Sequence, residues 1–412
     1  MKTKYDLLEK LILEIRMKNR ILLITLLSLI SIICGCRTPM KKPAVQKQYD
    51  RPLPIGQNAL RKITNPAEIP DFSLACLDLI DLRTAVNNSL DYLNKPSSKE
   101  FFPSGQISHD HVVNSLKTFA KLLDSKLTAR QLNEAITKQF DVYMSVGCDD
   151  RGTVLFTGYY TPIFDGSLTR TERFRYPLYK TPDDLVKNSA GDILGRRGPD
   201  GKITPYPPRK EISASGMLKG SELVWLGDPF EVYIAHVQGS AKIRLPDNKL
   251  ITIGYAANNG QEYHGISQEL VTDGKIPADQ ISLAAMIDYF KKNPSQIDTY
   301  INKNPRFVFF RREEGQPMGS LNEPVIAMRS IATDKSIFPR GGLALITTHL
   351  PRLDNGSVNM HIYNGFVLDQ DTGGAIRAPG RCDVYMGQGD MAGKLAGKTY
   401  QEGKLYYLFL KS

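Results

Sequence analysis

The sequence predicts a mainly β fold with flanking helices, and three observations carry the prediction. From Phe307 to Leu410, short aromatic and β-branched runs follow one another between glycines. From Gly147 to Tyr263 similar runs flank a Pro/Gly/Arg-rich stretch, and helical periodicity is confined to Ser73–Tyr143 and residues 277–301. Short strands at that density argue for a barrel. The chain has 412 residues, 41% apolar and 23% charged, a globular balance that excludes disorder and a multi-span membrane protein.

Residues 17–36, "MKNRILLITLLSLISIICGC", have a basic start, a short apolar run and a small residue before a cysteine. The segment resembles a bacterial lipoprotein signal, with Cys36 lipidated after cleavage and Met17 as the expected true start. The run Ile21–Ile33 is short against the roughly 20 apolar residues of a membrane span; a signal anchor is the alternative. Residues 37–70 are rich in proline and basic groups without a hydrophobic period and read as a tether. Arg37 follows the cysteine, which by resemblance to enterobacterial sorting directs the protein to the outer membrane, lipid-anchored and periplasm-facing.

In "TARQLNEAITKQFDVY", Thr128 and Gln131 form a capping box, and Leu132, Ile136, Phe140 and Tyr143 line one helical face. "GTVLFTGYYTPIF" reads as strand, and Asp165–Gly220 has little period. "EVYIAHVQGSAKIRL" and "KLITIGYAANNGQEY" read as two strands joined by the turn "PDNK". "PADQISLAAMIDYFKKN" is a helix with Asp in its first turn and lysines in its last; Asn293 and Gln296 cap a shorter one with Pro294 at its first position.

The formal charge is +10, from 53 Lys+Arg against 43 Asp+Glu; the first 35 residues hold six and three of these, leaving +7. That modest excess suits an anionic neighbour without specifying one. No recognition helix or basic stripe with interleaved aromatics points to nucleic acid. Of five cysteines, Cys34 and Cys36 belong to the signal. Cys76, Cys148 and Cys382 are too widely spaced for a disulfide framework or a metal-ligand set.

Asp369, Asp371 and Asp383 surround "TGGAI" near the C-terminus, between two expected strands. Acids at strand ends often face a groove, although Asp and Gly are also ordinary turn residues. The spacing does not match an EF-hand loop. Cys382 beside Asp383 lacks a cysteine-peptidase signature.

Five stretches occur in order: "GYYTP" (158–162), "YPLYKTP" (176–182), "HVQGSAKIRL" (236–245), "NPRFVFF" (304–310) and the tail "DTGGAIR…RCDVYMGQGDMAGKLAG". Together they resemble the MltA family of membrane-bound lytic murein transglycosylases over residues 70–412, the tail resembling that family's 3D domain. The resemblance implies a double-psi β-barrel formed by residues 71–163 and 304–412. A smaller β-rich domain, 164–303, is inserted into it, with a glycan groove between the two. It also implies cleavage of the β-1,4 bond between N-acetylmuramic acid and N-acetylglucosamine without water, leaving a 1,6-anhydro sugar, and no metal or organic cofactor.

By the same resemblance Asp383 falls on the single catalytic acid and Asp371 on the aspartate that opens "DxGGAI". One acid suffices because the sugar's own C6 hydroxyl takes the place of water, so no second carboxylate is needed as nucleophile or base. The acid must hold its proton near neutral pH, through burial or through a like charge such as Asp371.

Tyr159, Tyr160 and Thr161 offer flat faces and hydroxyls suited to sugar rings, with a buried strand position as the alternative for either tyrosine. On a strand, Gln238 and Ser240 share one side, and His236 points the same way; a core role for that histidine is the alternative. The substrate-binding set is Tyr160, Thr161, Gln238, Ser240, Asn304, Phe309 and Arg377. Asn304 and Phe309 fall on "NPxxVFF", where the phenylalanines can equally be core. Arg377 and Arg381 can meet peptide carboxylates or solvate a loop. The expected partners are peptidoglycan glycan strands and a membrane, with cell-wall synthases or hydrolases as candidate protein partners. The rival readings are a peptidoglycan-binding lipoprotein without turnover and a hydrolytic muramidase.

Overall fold

The computed structural model describes residues 47–188 and 191–411. The signal segment 1–36, with Cys36 and the Met17 start, lies outside the described residues. Residues 48–70, expected as tether, belong instead to the body. The Tyr49 hydroxyl donates to Glu402 (2.7 Å), and strand β1 (Leu60–Lys62) pairs antiparallel with β2 (Phe140–Ser145). Ala59 and Leu60 are buried, so a patch too short to show any period is enough to seat an edge strand.

Three helices follow: α1 (Leu82–Asn94), α2 (His109–Asp124) and α3 (Ala129–Gln139). The capping box forms, with Gln131 N donating to Thr128 Oγ1 and Thr128 N to Gln131 Oε1 (3.0 Å). The helix stops at Gln139, however, and Phe140 and Tyr143 are in β2. The alternation of that segment wins once the C-terminal strand offers it a partner.

After β3 (Val154–Thr161) the chain builds a second sheet from β4 (Ile163–Ser167), β5 (Tyr176–Tyr179), β9 (Glu222–Leu226), β10 (Ser240–Arg244), β11 (Leu250–Asn258) and β12 (Val308–Glu313), ordered β12-β11-β10-β4-β9-β5. The aperiodic stretch holds a three-stranded meander, β6 (Leu185–Lys187), β7 (Ile193–Arg197) and β8 (Ile203–Thr204), and helix α4 (Arg209–Ser215). The expected hairpin is present as β10 and β11. Because β12 pairs with β11, this sheet runs past Asn304 to Glu313, beyond the return point drawn from the sequence.

The segment "EVYIAHVQ" is not a strand. It is most of helix α5 (Pro229–Gln238), started by Asp228, whose carboxylate accepts from Phe230 N (2.7 Å), with Pro229 in the first turn and Gly239 at φ 74° closing it. Caps at both ends outweigh the β-branched content between them. Helix α6 (Ile266–Thr272) precedes α7 (Leu283–Lys292), which Ser282 caps through Ala285 N (3.1 Å), so Asp279 lies before the helix and not in its first turn. Asn293 donates its amide back to Tyr289 O and caps nothing; a 3-10 turn at Pro294–Gln296 leads into α8 (Ile297–Ile301).

The remaining strands are β13 (Ser330–Ala332), β14 (Leu343–Asp354), β15 (Ser357–Asp371), β16 (Arg381–Gln388) and β17 (Tyr400–Leu410), with helix α9 (Gly389–Lys398) before the last. The order β17-β14-β15-β13-β16-β3 closes on itself through β3–β17 pairing, giving a six-stranded barrel. β13/β15 and β3/β16 are parallel and the other pairs antiparallel. Helices cover one side: Phe366 of β15 stacks on Phe72 and meets Phe119 of α2 edge-on. Such rings each contribute about 2–3 kcal/mol when fully buried, which fixes the wall that carries Asp371 at its far end.

Candidate active site

The parallel pairing of β3 with β16 sets the site. Asp383 stands opposite Thr157, and the Thr157 hydroxyl donates to its Oδ1. Arg381, two residues along the same strand face, places Nη2 3.8 Å from that oxygen and donates to Thr157 Oγ1 (3.3 Å). The Asp383 side chain keeps 17% of its surface open to solvent. Burial pushes its carboxyl above the usual carboxylate range, while Arg381 and the Thr157 hydroxyl pull it back down. Of the two causes left open by the sequence, burial is the one at work; Asp371 does not contribute.

Asp371 ends β15 and has a different environment. Its Oδ1 accepts from Ser320 N and Thr372 N (2.8 Å each), and its Oδ2 from the Tyr159 hydroxyl (2.9 Å). Its carboxyl is also raised by burial, against the pull of those three donors. The loop it holds is gripped a second time: Glu313, at the end of β12, accepts from Met318 N (3.4 Å). Two carboxylates from different sheets therefore fix one connecting loop. Gly319 between them is needed for close approach, since a Cβ there would sit 2.7 Å from Gln370 O.

Asp369, grouped with these acids in the sequence, is inside the barrel. It pairs with buried Lys335 and accepts from Thr333 (2.7 Å) and Tyr407 (2.7 Å). The loop between Asp371 and Arg381 is tied down by Asp334, whose Oδ2 accepts from Ala378 N (3.0 Å), the residue there having φ 67°. Sequence reasoning missed Asp334, Thr157 and Ser320. Only strand register could have shown Thr157, whereas the Asp-x-Ser pattern at Asp334 was legible as a turn.

The two tyrosines of "GYYTP" separate as neighbours on a strand must. Tyr159 is half-buried, its hydroxyl on Asp371 and its ring 5.1 Å from that of Tyr385. Tyr160 is buried against Gly393 of α9. Thr161 is fully buried, its hydroxyl bonded to Tyr385 (2.9 Å) and Ser240 (3.2 Å). Gln238, the last residue of α5, accepts from Tyr160 N (3.1 Å). Gln238 and Ser240 thus converge on β3 as expected, through a helix end and a tight glycine turn and not through a shared strand face.

Asn304 and Phe309 are interior. Asn304 Oδ1 accepts from His264 N (3.2 Å) and Arg306 N (3.1 Å), organising the loop that carries Tyr263, and Phe309 packs edge-on against Tyr206. His236 is buried between Phe307 and Phe310, with neither ring nitrogen hydrogen-bonded, and desolvation holds its pKa well below 6.5. It takes the core role. Arg377 is exposed on the Thr372–Gly380 loop, where it lowers the pKa of nearby Arg306.

Across from Asp383, Tyr263 senses both the aspartate and Arg381. Gly374 brings the loop against it: a Cβ there would lie 3.3 Å from Tyr263 Cβ and 3.3 Å from Arg306 Nε. Behind Tyr263 opens a cleft of about 350 Å³ lined by Tyr233, Val237, Gln238, Ile266 and Met286 among others. Among the described residues no group of three His, Cys, Asp or Glu side chains is placed to hold a metal ion.

A closed six-stranded barrel with one solvent-reached, proton-retaining aspartate, faced by a tyrosine from an inserted β-rich unit, defines a 3D-type barrel protein with an insert. Residues 155–311 match the family model of the MltA specific insert domain, and 329–409 that of the 3D domain. The membrane-bound lytic murein transglycosylase A homolog of Buchnera aphidicola is 30% identical over 322 residues, spanning 77% of this chain and 82% of that protein. The membrane-bound lytic murein transglycosylase A of Escherichia coli K12 is 30% identical over 272 residues, 65% and 69% of the two chains. Two solved structures, each 24% identical, share the fold. The membrane-bound lytic murein transglycosylase of Agrobacterium tumefaciens has a TM-score of 0.70, covering 85% of this chain and 98% of that one; E. coli MltA with bound chitohexaose has 0.64, covering 89% and 100%. The chain belongs to the MltA family of lytic murein transglycosylases.

Proposed function

We propose that the protein cleaves peptidoglycan glycan strands non-hydrolytically between N-acetylmuramic acid and N-acetylglucosamine, with Asp383 as acid and then base. The observation that carries this reading is the contrast between two carboxyls. Asp383 meets solvent and is biased toward its protonated form, while Asp371 is saturated by three donors. Asp383 donates its proton to the glycosidic oxygen as the C1–O bond breaks. The C6 hydroxyl then attacks C1 and yields its proton to the Asp383 carboxylate, so the acid is restored and no water is consumed. Asp371 acts as the supporting acid by holding Tyr159 and the Ser320 loop.

The strand would lie between the barrel and the inserted domain, against Tyr263 and the cleft behind it, whose apolar wall and few polar groups suit sugar rings. Gln238 and Arg377 are the members of the expected binding set left accessible. Thr161, Ser240, Tyr160, Asn304 and Phe309 act from beneath by fixing β3, α5 and the Tyr263 loop. Lipidation at Cys36 and an outer-membrane, periplasm-facing location complete the reading; among the described residues no helix is long and apolar enough to cross a membrane.

The test is digestion of purified peptidoglycan by wild type and Asp383→Asn, with products read by mass spectrometry and the N-terminal peptide examined for acyl mass. Anhydromuramoyl ends from wild type alone are expected. Free reducing ends would make the protein a muramidase, and tight binding without products a glycan-binding lipoprotein.

A further inference from the structure

β14 and β15 are longer than the barrel needs. β14 pairs with β17 only over Ala344–Thr347, and β15 with β13 only from Leu368 onward. Between these limits, through the Asn355–Gly356 turn, the two strands pair with each other as a free arm. The arm is two-faced, as a period of two requires. Arg352, Asp354 and His361 share one face and bond among themselves. Leu353, Met360 and Ile362 share the other and are exposed, Ile362 at 74%.

The apolar face continues onto residues 71–80, which strap across the outside of β15 where the arm begins. Asn364 donates to Asp71 O (3.1 Å), and Phe72 stacks on Phe366. Arg329 holds the other end, donating to Ile80 O (2.9 Å) and Asp78 O (3.0 Å) and ion-pairing with the Asp78 carboxylate (2.7 Å). Ala75 and Cys76 point inward, while Leu77 and Ile80 are left 72% and 75% exposed, beside a strand whose next outward residue after Asn364 is Ile362. Contiguous apolar surface of this kind marks an interaction site.

We propose that this face, Leu77, Ile80, Leu353, Met360 and Ile362, rests on the lipid surface to which the chain is anchored; the inference builds on lipidation at Cys36. Two features argue for lipid as the occupant. Thirteen residues separate Cys36 from Tyr49, a reach of at most about 45 Å. Tyr49 is fixed to Glu402, whose carbonyl accepts from Thr348 at the root of the arm, one residue pair from His349 and Ile362. The anchor therefore joins the body beside the apolar face. The second feature is polarity along β15. Ile362 and Asp371 lie on one strand, nine residues or about 30 Å apart, so docking at one end leaves Asp371 and Asp383 directed away from the bilayer.

The test uses the full chain purified with its anchor and placed in phosphatidylethanolamine/phosphatidylglycerol vesicles with brominated acyl chains. An environment-sensitive fluorophore is attached at Leu77→Cys, Ile362→Cys or, on the inserted domain, Leu194→Cys. Quenching at 77 and 362 but not at 194 is expected, and Ile80→Asp/Met360→Asp should cut the signal at 362 several-fold without changing the melting temperature. Acylated protein with equal quenching, or none, at all three sites overturns the proposal while leaving the anchor intact. Unacylated protein still quenched at 77 and 362 supports docking and refutes the anchor; unacylated and unquenched protein refutes both. Shielding of position 362 that needs no vesicles and rises with protein concentration assigns the face to a second copy, and also overturns the proposal.

Discussion

Asp371 and Asp383 are registered on the same residue, Ala332, from opposite sides of β13: Asp371 across the parallel ladder and Asp383 across the antiparallel one. Two strand spacings, about 10 Å, thus separate their backbones. That is too far for two carboxylates to share a proton as an aspartic dyad does, which requires like charges in direct contact. Each acid has its own environment, and their roles divide accordingly.

The Asp383 carboxyl, raised by burial, makes a stability prediction whose sign follows from proton linkage. Between the unfolded and folded pKa values the native state binds more protons than the unfolded one, so stability falls as pH rises through that window. Asn carries no such proton and still accepts from Thr157. Asp383→Asn should therefore melt higher than wild type at neutral pH, with the gap growing from pH 4 upward and then levelling. Parallel thermal melts across pH decide it; a gap that shrinks with rising pH would mean that the carboxylate is stabilised in the fold.

Arg381 opposes burial at Asp383. Arg381→Gln should lift the Asp383 pKa further and move the alkaline limb of the pH–rate profile for anhydromuramoyl release upward by about one unit, the low end for an opposite charge at this range. A limb that stays in place or moves toward acid would detach either Arg381 or Asp383 from the titration.

His236 is buried without a hydrogen bond on either nitrogen, and its pKa is depressed from 6.5. Below that unfolded value the unfolded state binds the extra proton first, so stability is lost as pH falls from about 6.5 toward the folded value. His236→Leu removes this loss at the cost of the edge-on contact with Phe307. The melting temperature of the variant relative to wild type should rise as pH drops from 7 to 5; a constant difference would show that the ring is solvated or partnered in solution.

The barrel was legible in the sequence because its strands are long, alternating and separated by glycines, as in "LALITTHL" and "HIYNGFVLDQD". The errors cluster where local chemistry overrode composition. Asp228, Pro229 and Gly239 made a helix of a Val/Ile-rich segment, and the C-terminal strand pulled Phe140 and Tyr143 off the end of α3. At the site, residue types pointed to Asp383 and Asp371. Which face each neighbour presents depended on register: Tyr159, not Tyr160, reaches the acids because β3 lies parallel to β16. Burial decided the rest, since Asn304 and Phe309 sit in a stretch whose alternation is the same for a groove and for a core.

Asp371 supplies the last prediction, because its three donors separate a charge role from a positioning role. In Asp371→Asn the remaining oxygen still accepts from Ser320 and Thr372, and the new amide can donate to the Tyr159 oxygen, reversing that bond without losing it. Activity should fall by about tenfold or less. Asp371→Ala leaves two backbone donors and a half-buried hydroxyl unmatched, at about 1–3 kcal/mol each, and should lower the melting temperature as well as the rate. Gly319→Ala should resemble the alanine variant, since its Cβ would press on Gln370 O and push Ser320 away from the carboxylate. Initial rates and melts for the three variants give the ranking. If Asp371→Asn proves as inactive as Asp383→Asn while Gly319→Ala retains full activity, the negative charge of Asp371 is what the reaction needs, and its grip on the loop is incidental.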